Sequence, residues 1–258
     1  MTATCHRADV SAYCDSVASE VARLVGAVGA ADAVAPVPTC PDWTVRQLAE
    51  HVGTVHRWAA NMVRLAAPKR ISASTLDLGI PDADEDIPSW LAAGGVELID
   101  SFHAADPDAE MWAWGSDQHV RFWPRRMLHE TTVHRVDAEI ASGREPLITG
   151  PVAVDGIDEF LDNLPCAVYF APAVAELKGE GERLSFVAPD VGVTWSVALG
   201  PDGFEWDHGD SDDPPTVRVS AAAADLLLVL YGRHPVADWA TVEGDAAVLE
   251  RWLANSSI

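Results

Sequence analysis

Two stretches of this 258-residue chain put metal-ligating side chains where a helical stripe would otherwise be apolar. In the first, spacings of three and four place His51 on one row with Leu48, Val55, Ala59 and Met62. In the second, the row is Met127, Glu130, His134, Ala138 and Ala141, so a carboxylate and an imidazole lie one turn apart on one inward face. Burying an ionised carboxylate alone costs several kcal/mol or pushes its pKa up, so Glu130 calls for a proton, a cation or a metal. An i, i+4 pair plus one ligand from a facing helix supplies three corners of a tetrahedron and leaves the fourth open, which is the catalytic rather than the structural zinc pattern. Zinc is the first expectation, and nitrogen with carboxylate donors also suits iron, nickel or manganese. The same residues admit a plainer account, in which His51 is a hydrogen-bonded core histidine and Glu130 shares a proton with His134. His56 lies five residues past His51, roughly 140° round a helix, and His129 adjoins Glu130 on another face, so both are expected at the surface or in support of the ligands. His6, His103, His119, His208 and His234 carry no assignment.

Other chemistries find little support. There is no G-x-S-x-G elbow, no P-loop and no G-x-G-x-x-G. Cys40 sits in a proline-flanked loop, where a packed thiol is expected rather than a nucleophile. The four cysteines, Cys5, Cys14, Cys40 and Cys166, are scattered without a C-x-x-C, which suits reduced thiols in a cytoplasm. No apolar h-region or long apolar run is present, so a cytoplasmic protein is expected. Lys plus Arg number 17 against 40 for Asp plus Glu, a formal charge of −23. Such a surface repels phosphate backbones and anionic lipid headgroups, which argues against nucleic-acid and membrane partners. An anionic small molecule would need a local cation, a metal or a sheltered Arg, to overcome that field.

The elements that must hold these side chains follow from periodicity and punctuation. A helix is predicted over Asp9 to Val28, stopped at Gly29; the proline-rich segment Ala35 to Trp43 is expected to be neither helix nor strand. Thr44-Val-Arg-Gln47 has the form of a capping box, opening a second helix from about Val45 to Ala66. An acidic loop between Pro68 and Pro88 leads into a third helix, about Ser89 to Ala105. A fourth begins near Arg121, tolerates Pro124 in its first turn and ends at Gly143. These four imply a bundle. After Pro151 one more helix, to about Leu164, precedes strand-like runs at 184–188, 193–199, 204–206 and 216–219, and helices near 221–231 and 245–253 close the chain. The fold expected is a helical bundle over residues 1–150 followed by a smaller α+β domain over 151–258 around an antiparallel sheet.

The motifs in these elements resemble the mycothiol-dependent maleylpyruvate isomerase family, a branch of the DinB-like metal-binding four-helix bundles. They are Val37-Pro-Thr-Cys-Pro-Asp-Trp-Thr-Val45 leading into Leu48-Ala-Glu-His51, and His129-Glu-Thr-Thr-Val-His-Arg-Val-Asp137 followed by Ala138-Glu-Ile-Ala-Ser-Gly143. Ala224 to Arg233 and Val242-Glu-Gly-Asp245 are similar to the tail of the family's C-terminal domain, which is itself similar to sterol carrier proteins. The resemblance implies zinc on His51, Glu130 and His134, the three that periodicity isolates. It implies an active-site Arg in the C-terminal half, matched best by Arg233, with Arg218 as a rival and a surface Arg without a role as the plain alternative for either. Val136 stands where many relatives carry Trp, a packing change or a reshaped pocket wall.

The activity so implied uses mycothiol, or a similar low-molecular-weight thiol, as cosubstrate: the metal lowers the thiol's pKa and the thiolate is the nucleophile. In an isomerase it adds to the double bond of a cis-enone diacid, lets the new single bond rotate and leaves again, while Arg233 holds a substrate carboxylate. A thiol S-transferase, in which the thiol stays attached to an electrophile, would use the same bundle, with substrate choice in the loops Pro68 to Pro88 and Asp106 to Val120. A rival of another class is a non-catalytic zinc-dependent sensor or anti-sigma partner, whose usual H-x-x-x-C-x-x-C ligation is missing here.

Overall fold

The computed structural model describes residues 3–258, with side chains from Asp9 onward, so the side chains of Cys5 and His6 lie outside what it describes. The chain divides into two compact units, one of residues 1–113 and 117–147, the other of residues 114–116 and 148–258.

The first unit is a bundle of α1 (Ala3–Val28), α2 (Val45–Arg64), α3 (Ile87–Ala104) and α4 (Phe122–Ala141). The predicted starts of α1 and α3 fall late by six and two residues, against Asp9 and Ser89. Pro88 sits in the first turn of α3, where its missing N–H leaves no hydrogen bond unmade. The segment Ala35 to Trp43 corrects the expectation of irregular chain: β1 (Pro36–Val37) and β2 (Cys40–Thr44) form a short antiparallel hairpin. Its prolines are accommodated because a two-stranded hairpin is all edge, where a missing donor faces no ladder partner. Thr44 ends β2 and caps α2, its hydroxyl accepting from the Gln47 N–H while the Gln47 side chain accepts from the Thr44 N–H. The capping box therefore fixes the angle between hairpin and helix about two turns before His51.

The helices close on a core that includes Leu24, Val28, Leu48, Val52, Ile87, Trp90, Leu91 and Ala138. Helix α4 is buried almost all round, Val136 included at 0% exposure, so that position is bundle core and not a pocket wall. Its polar residues survive burial by pairing. Arg135, fully buried, donates to Glu20 Oε2 and Glu139 Oε2, both at 2.7 Å, and Arg23 donates to both Glu139 oxygens, which locks α1 to α4.

The second unit contains α5 (Gly150–Asn163), β3 (Arg183–Ala188), β4 (Val193–Gly200), β5 (Gly203–His208), β6 (Val217–Ser220), α6 (Ala223–Leu230), α7 (Val236–Trp239), β7 (Thr241–Gly244) and α8 (Ala246–Asn255). The strands form one sheet in the order β5-β4-β3-β6-β7. The expected antiparallel sheet is found, with one parallel pair, β3 with β6, at its centre. The crossover from β5 to β6 passes both intervening strands and forces that parallel pair. Alternation puts Leu184, Phe186, Trp195, Val197, Leu199, Val217 and Val219 on the buried face, where Trp252 of α8 packs against Phe186 and Phe204. The result is a helical N-terminal unit followed by an α+β unit with a mostly antiparallel sheet.

Candidate metal centre

His51 stands in the second turn of α2; Glu130 and His134 stand one turn apart near the middle of α4. The two helices pack together, and the ligand atoms of the three side chains all lie within 4.8 Å of one another. Glu130 Oε1 is the hub, 3.3 Å from His51 Nε2 and 3.5 Å from His134 Nε2. Donors held on one ion by bonds of about 2.0–2.1 Å at a tetrahedral angle stand roughly 3.3 Å apart, so the two spacings to Glu130 and this donor set suit a divalent metal, zinc among them, with no two ligand atoms more than 4.8 Å apart. The burial is graded: the His134 side chain is 11% exposed, Glu130 20% and His51 36%, so the cluster opens on the α2 side.

Its electrostatics suit a cation. Burial pushes the Glu130 carboxyl up, but hydrogen bonds from His134 and His51, with the Arg126 charge, outweigh burial and hold it well below the usual carboxylate range. Arg126, one turn before Glu130 and only 5% exposed, donates to Glu130 Oε2 at 3.0 Å and leaves Oε1 to the imidazoles. For His134, burial acts downward, and its bonds to Asp137 and Glu130 overcome this and raise it to about 9. Asp137, at 0% exposure, takes His134 Nδ1 at 2.9 Å on Oδ2. Trp43, at the end of β2, packs on both rings, its centroid 4.8 Å from that of His51 and 5.9 Å from that of His134.

Arg126, Asp137 and Trp43 are thus part of the centre, although sequence reading passes over them. A signal was present for two of them: Arg126 is four residues before Glu130 and Asp137 three after His134, on the same helical face. Two other positions need correction. His56 is not at the surface; it is fully buried, with Nε2 on Thr131 Oγ1 at 2.9 Å. His129 is also buried, at 1% exposure, because α4 has no free face. Cys40 Sγ donates to Asp137 Oδ2 at 3.5 Å. Both arginines considered for activity lie in the second unit. Arg233 follows α6, with its guanidinium donating to Tyr231 O at 2.8 Å, whereas Arg218 on β6 pairs with Asp210 at 3.1 Å.

Comparison with known proteins adds the following. Residues 14–139 match the family model described as the mycothiol maleylpyruvate isomerase N-terminal domain, and residues 151–251 match the C-terminal domain of the same family. The crystal structure of a mycothiol-dependent maleylpyruvate isomerase superposes with a TM-score of 0.61 and 14% identity, covering 91% of this chain and 92% of that one. A variant of that enzyme with one histidine replaced by alanine superposes equally well, at 12% identity. At such identity the superpositions speak to the fold. No curated protein sequence matches.

Proposed function

We propose, from the premise that this chain belongs to the mycothiol maleylpyruvate isomerase family, that it is a metal-dependent enzyme using mycothiol or a similar low-molecular-weight thiol on a small electrophilic substrate. The observation that carries this reading is the convergence of His51, Glu130 and His134 within 4.8 Å, with donor spacings suited to one divalent ion. These three residues would hold the metal, zinc first among the candidates, and when bound it supplies a Lewis acid that favours the thiolate over the thiol.

The chain's own groups do the rest. The hydrogen bonds of His134 and His51, with the Arg126 charge, keep Glu130 ionised, and Arg126 binds Oε2 so that the other carboxylate oxygen would serve as the ligand. Trp43 fixes the planes of both imidazoles. Arg233 is the candidate to hold a substrate carboxylate, and on a molecule carrying −23 a fixed cation is what makes room for an anionic enone diacid such as maleylpyruvate. In cis–trans isomerisation the thiolate sulfur adds to the double bond and the displaced π pair is held as an enolate; the resulting single bond rotates, and the enolate pair re-forms the alkene as the sulfur departs with the electrons of the C–S bond. Nothing is gained or lost.

The test is metal analysis of tag-free protein, followed by assay with and without mycothiol against maleylpyruvate and generic electrophiles. Stoichiometric metal with thiol-dependent isomerisation is expected, falling at least 100-fold in His51→Ala, Glu130→Ala and His134→Ala. Thiol consumption with a stable conjugate would instead identify an S-transferase. Metal with no thiol-dependent turnover of any substrate would favour the sensor reading.

A further inference from the structure

We infer that Asp137 is the positioning residue of the metal centre, fixing the ring of His134 and tying the β1–β2 hairpin to it; this rests on the metal-binding reading above. Asp137 is fully buried on α4, three residues after His134 and on the same face. Its Oδ2 lies 2.9 Å from His134 Nδ1. The Asp137 carboxylate accepts from Nδ1, so Nε2 is the nitrogen turned to Glu130 Oε1, 3.5 Å away, and the one that would offer its lone pair once a metal displaces the proton it shares with Glu130. The ring is thereby presented to the shared position in the tautomer a metal requires, with a basicity raised by its partner.

The other contacts of Asp137 give the carboxylate a second task. Thr39 Oγ1 donates to Oδ1 at 2.6 Å and Cys40 Sγ donates to Oδ2 at 3.5 Å. Thr39 and Cys40 lie at the turn of the hairpin whose second strand carries Trp43, the ring packed on His51 and His134. One carboxylate therefore joins a ligand from α4 to the segment that seats both imidazoles. Arg126 plays a different part, since it binds the Glu130 carboxylate.

The experiment measures zinc affinity of the full chain by competition with a chromophoric chelator, together with the visible spectrum of the cobalt-loaded protein and hydrogen exchange of residues 36–44. Asp137→Asn keeps the shape but offers a neutral acceptor. It is expected to lose 10- to 100-fold in zinc affinity, to shift the cobalt bands, and to abolish the slowing of hairpin exchange that metal brings to the wild type. A folded Asp137→Asn protein with wild-type affinity and an unmoved spectrum would overturn the inference, because a purely structural role lowers the melting temperature without altering the cobalt bands. Should Asp137→Asn not fold, Thr39→Val decides: it removes the hydroxyl bond to Oδ1 while leaving every proposed ligand in place, and a loss of at least threefold in affinity is expected, against none if the inference is wrong. Wild-type protein that takes up no metal would sink the parent reading and this one together, whereas full uptake with no effect of either substitution sinks this one alone.

Discussion

His56 shows how a buried ring acquires chemistry from what surrounds it. Thr131 Oγ1 donates to Met127 O at 2.6 Å, so it must accept from His56 Nε2, which leaves His56 Nδ1 as a bare acceptor without a partner. Protonating Nδ1 would place a charge in a fully buried site beside Arg57, with His134 and His51 also opposing it and Glu130 favouring it. Burial dominates and pushes the pKa down to about 4. Because the folded value lies below the ordinary 6.5, the unfolded chain binds more protons between the two, and stability drains away as pH falls through that window. The loss should reach on the order of 3 kcal/mol by pH 4 and be absent above pH 6.5. Urea titrations at a series of pH values should show this slope in the wild type and a flatter one in His56→Gln. Cys14 makes a parallel case: at 1% exposure, with burial and then Asp15 raising its thiol to about 11, it should resist alkylation at pH 8 until the chain unfolds. Cys40 and Cys166, both half-buried, should label in the native protein, as peptide mapping by mass spectrometry would report.

At the scale of elements, the bundle owes its close helix contacts to small residues. A Cβ built on Gly53 of α2 would stand 2.2 Å from the ring of Trp90 on α3. That ring cannot slide away, because Nε1 donates to Leu78 O at 2.9 Å and the Arg57 guanidinium lies 4.2 Å above its centre. Gly53→Ala should therefore destabilise the protein by about 1–3 kcal/mol despite the better helix propensity of alanine, measured as a lower denaturant midpoint. Elements also differ in how plainly the sequence announces them. Helices α2 and α4 are legible because their apolar rows repeat and one begins with Thr44-x-x-Gln47, and the row of α4 delivers Glu130 and His134 together. The hairpin is hidden by its prolines, β7 by having only four residues, and the parallel pairing of β3 with β6 by being a matter of topology, which no local pattern records. The burial of His56 and His129 is hidden for another reason: a stripe predicts one inward face, whereas a helix enclosed by its neighbours has several.

For the whole molecule the governing quantity is the charge of −23. Like charges on a folded surface repel one another more than on an expanded chain, so the native state carries a penalty that salt screens. Raising sodium chloride from about 0.01 M to about 0.15 M shortens the screening length from about 30 Å to about 8 Å, and the melting temperature should rise. A fall would mean that ion pairs such as Arg183 with Asp213 outweigh the general repulsion. The proposed metal, once loaded, should act on top of this: a ligand that binds only the folded state stabilises by about 2.7 kcal/mol at a hundredfold excess over its dissociation constant, so on that proposal a chelator should lower the melting temperature at every salt concentration.

The enclosure of α4 bears on how such a centre can be altered. Glu130 and His134 belong to a helix whose surroundings already specify almost every side chain, and a new donor there would have to satisfy Arg126, Asp137 and the packing at the same time. His51, with 36% of its side chain open, stands outside that constraint. On the proposed metal-binding reading, retuning the preference among divalent ions would begin by exchanging that one imidazole for a thiol, a carboxylate or an amide, treating α4 as the invariant anvil and α2 as the replaceable tool.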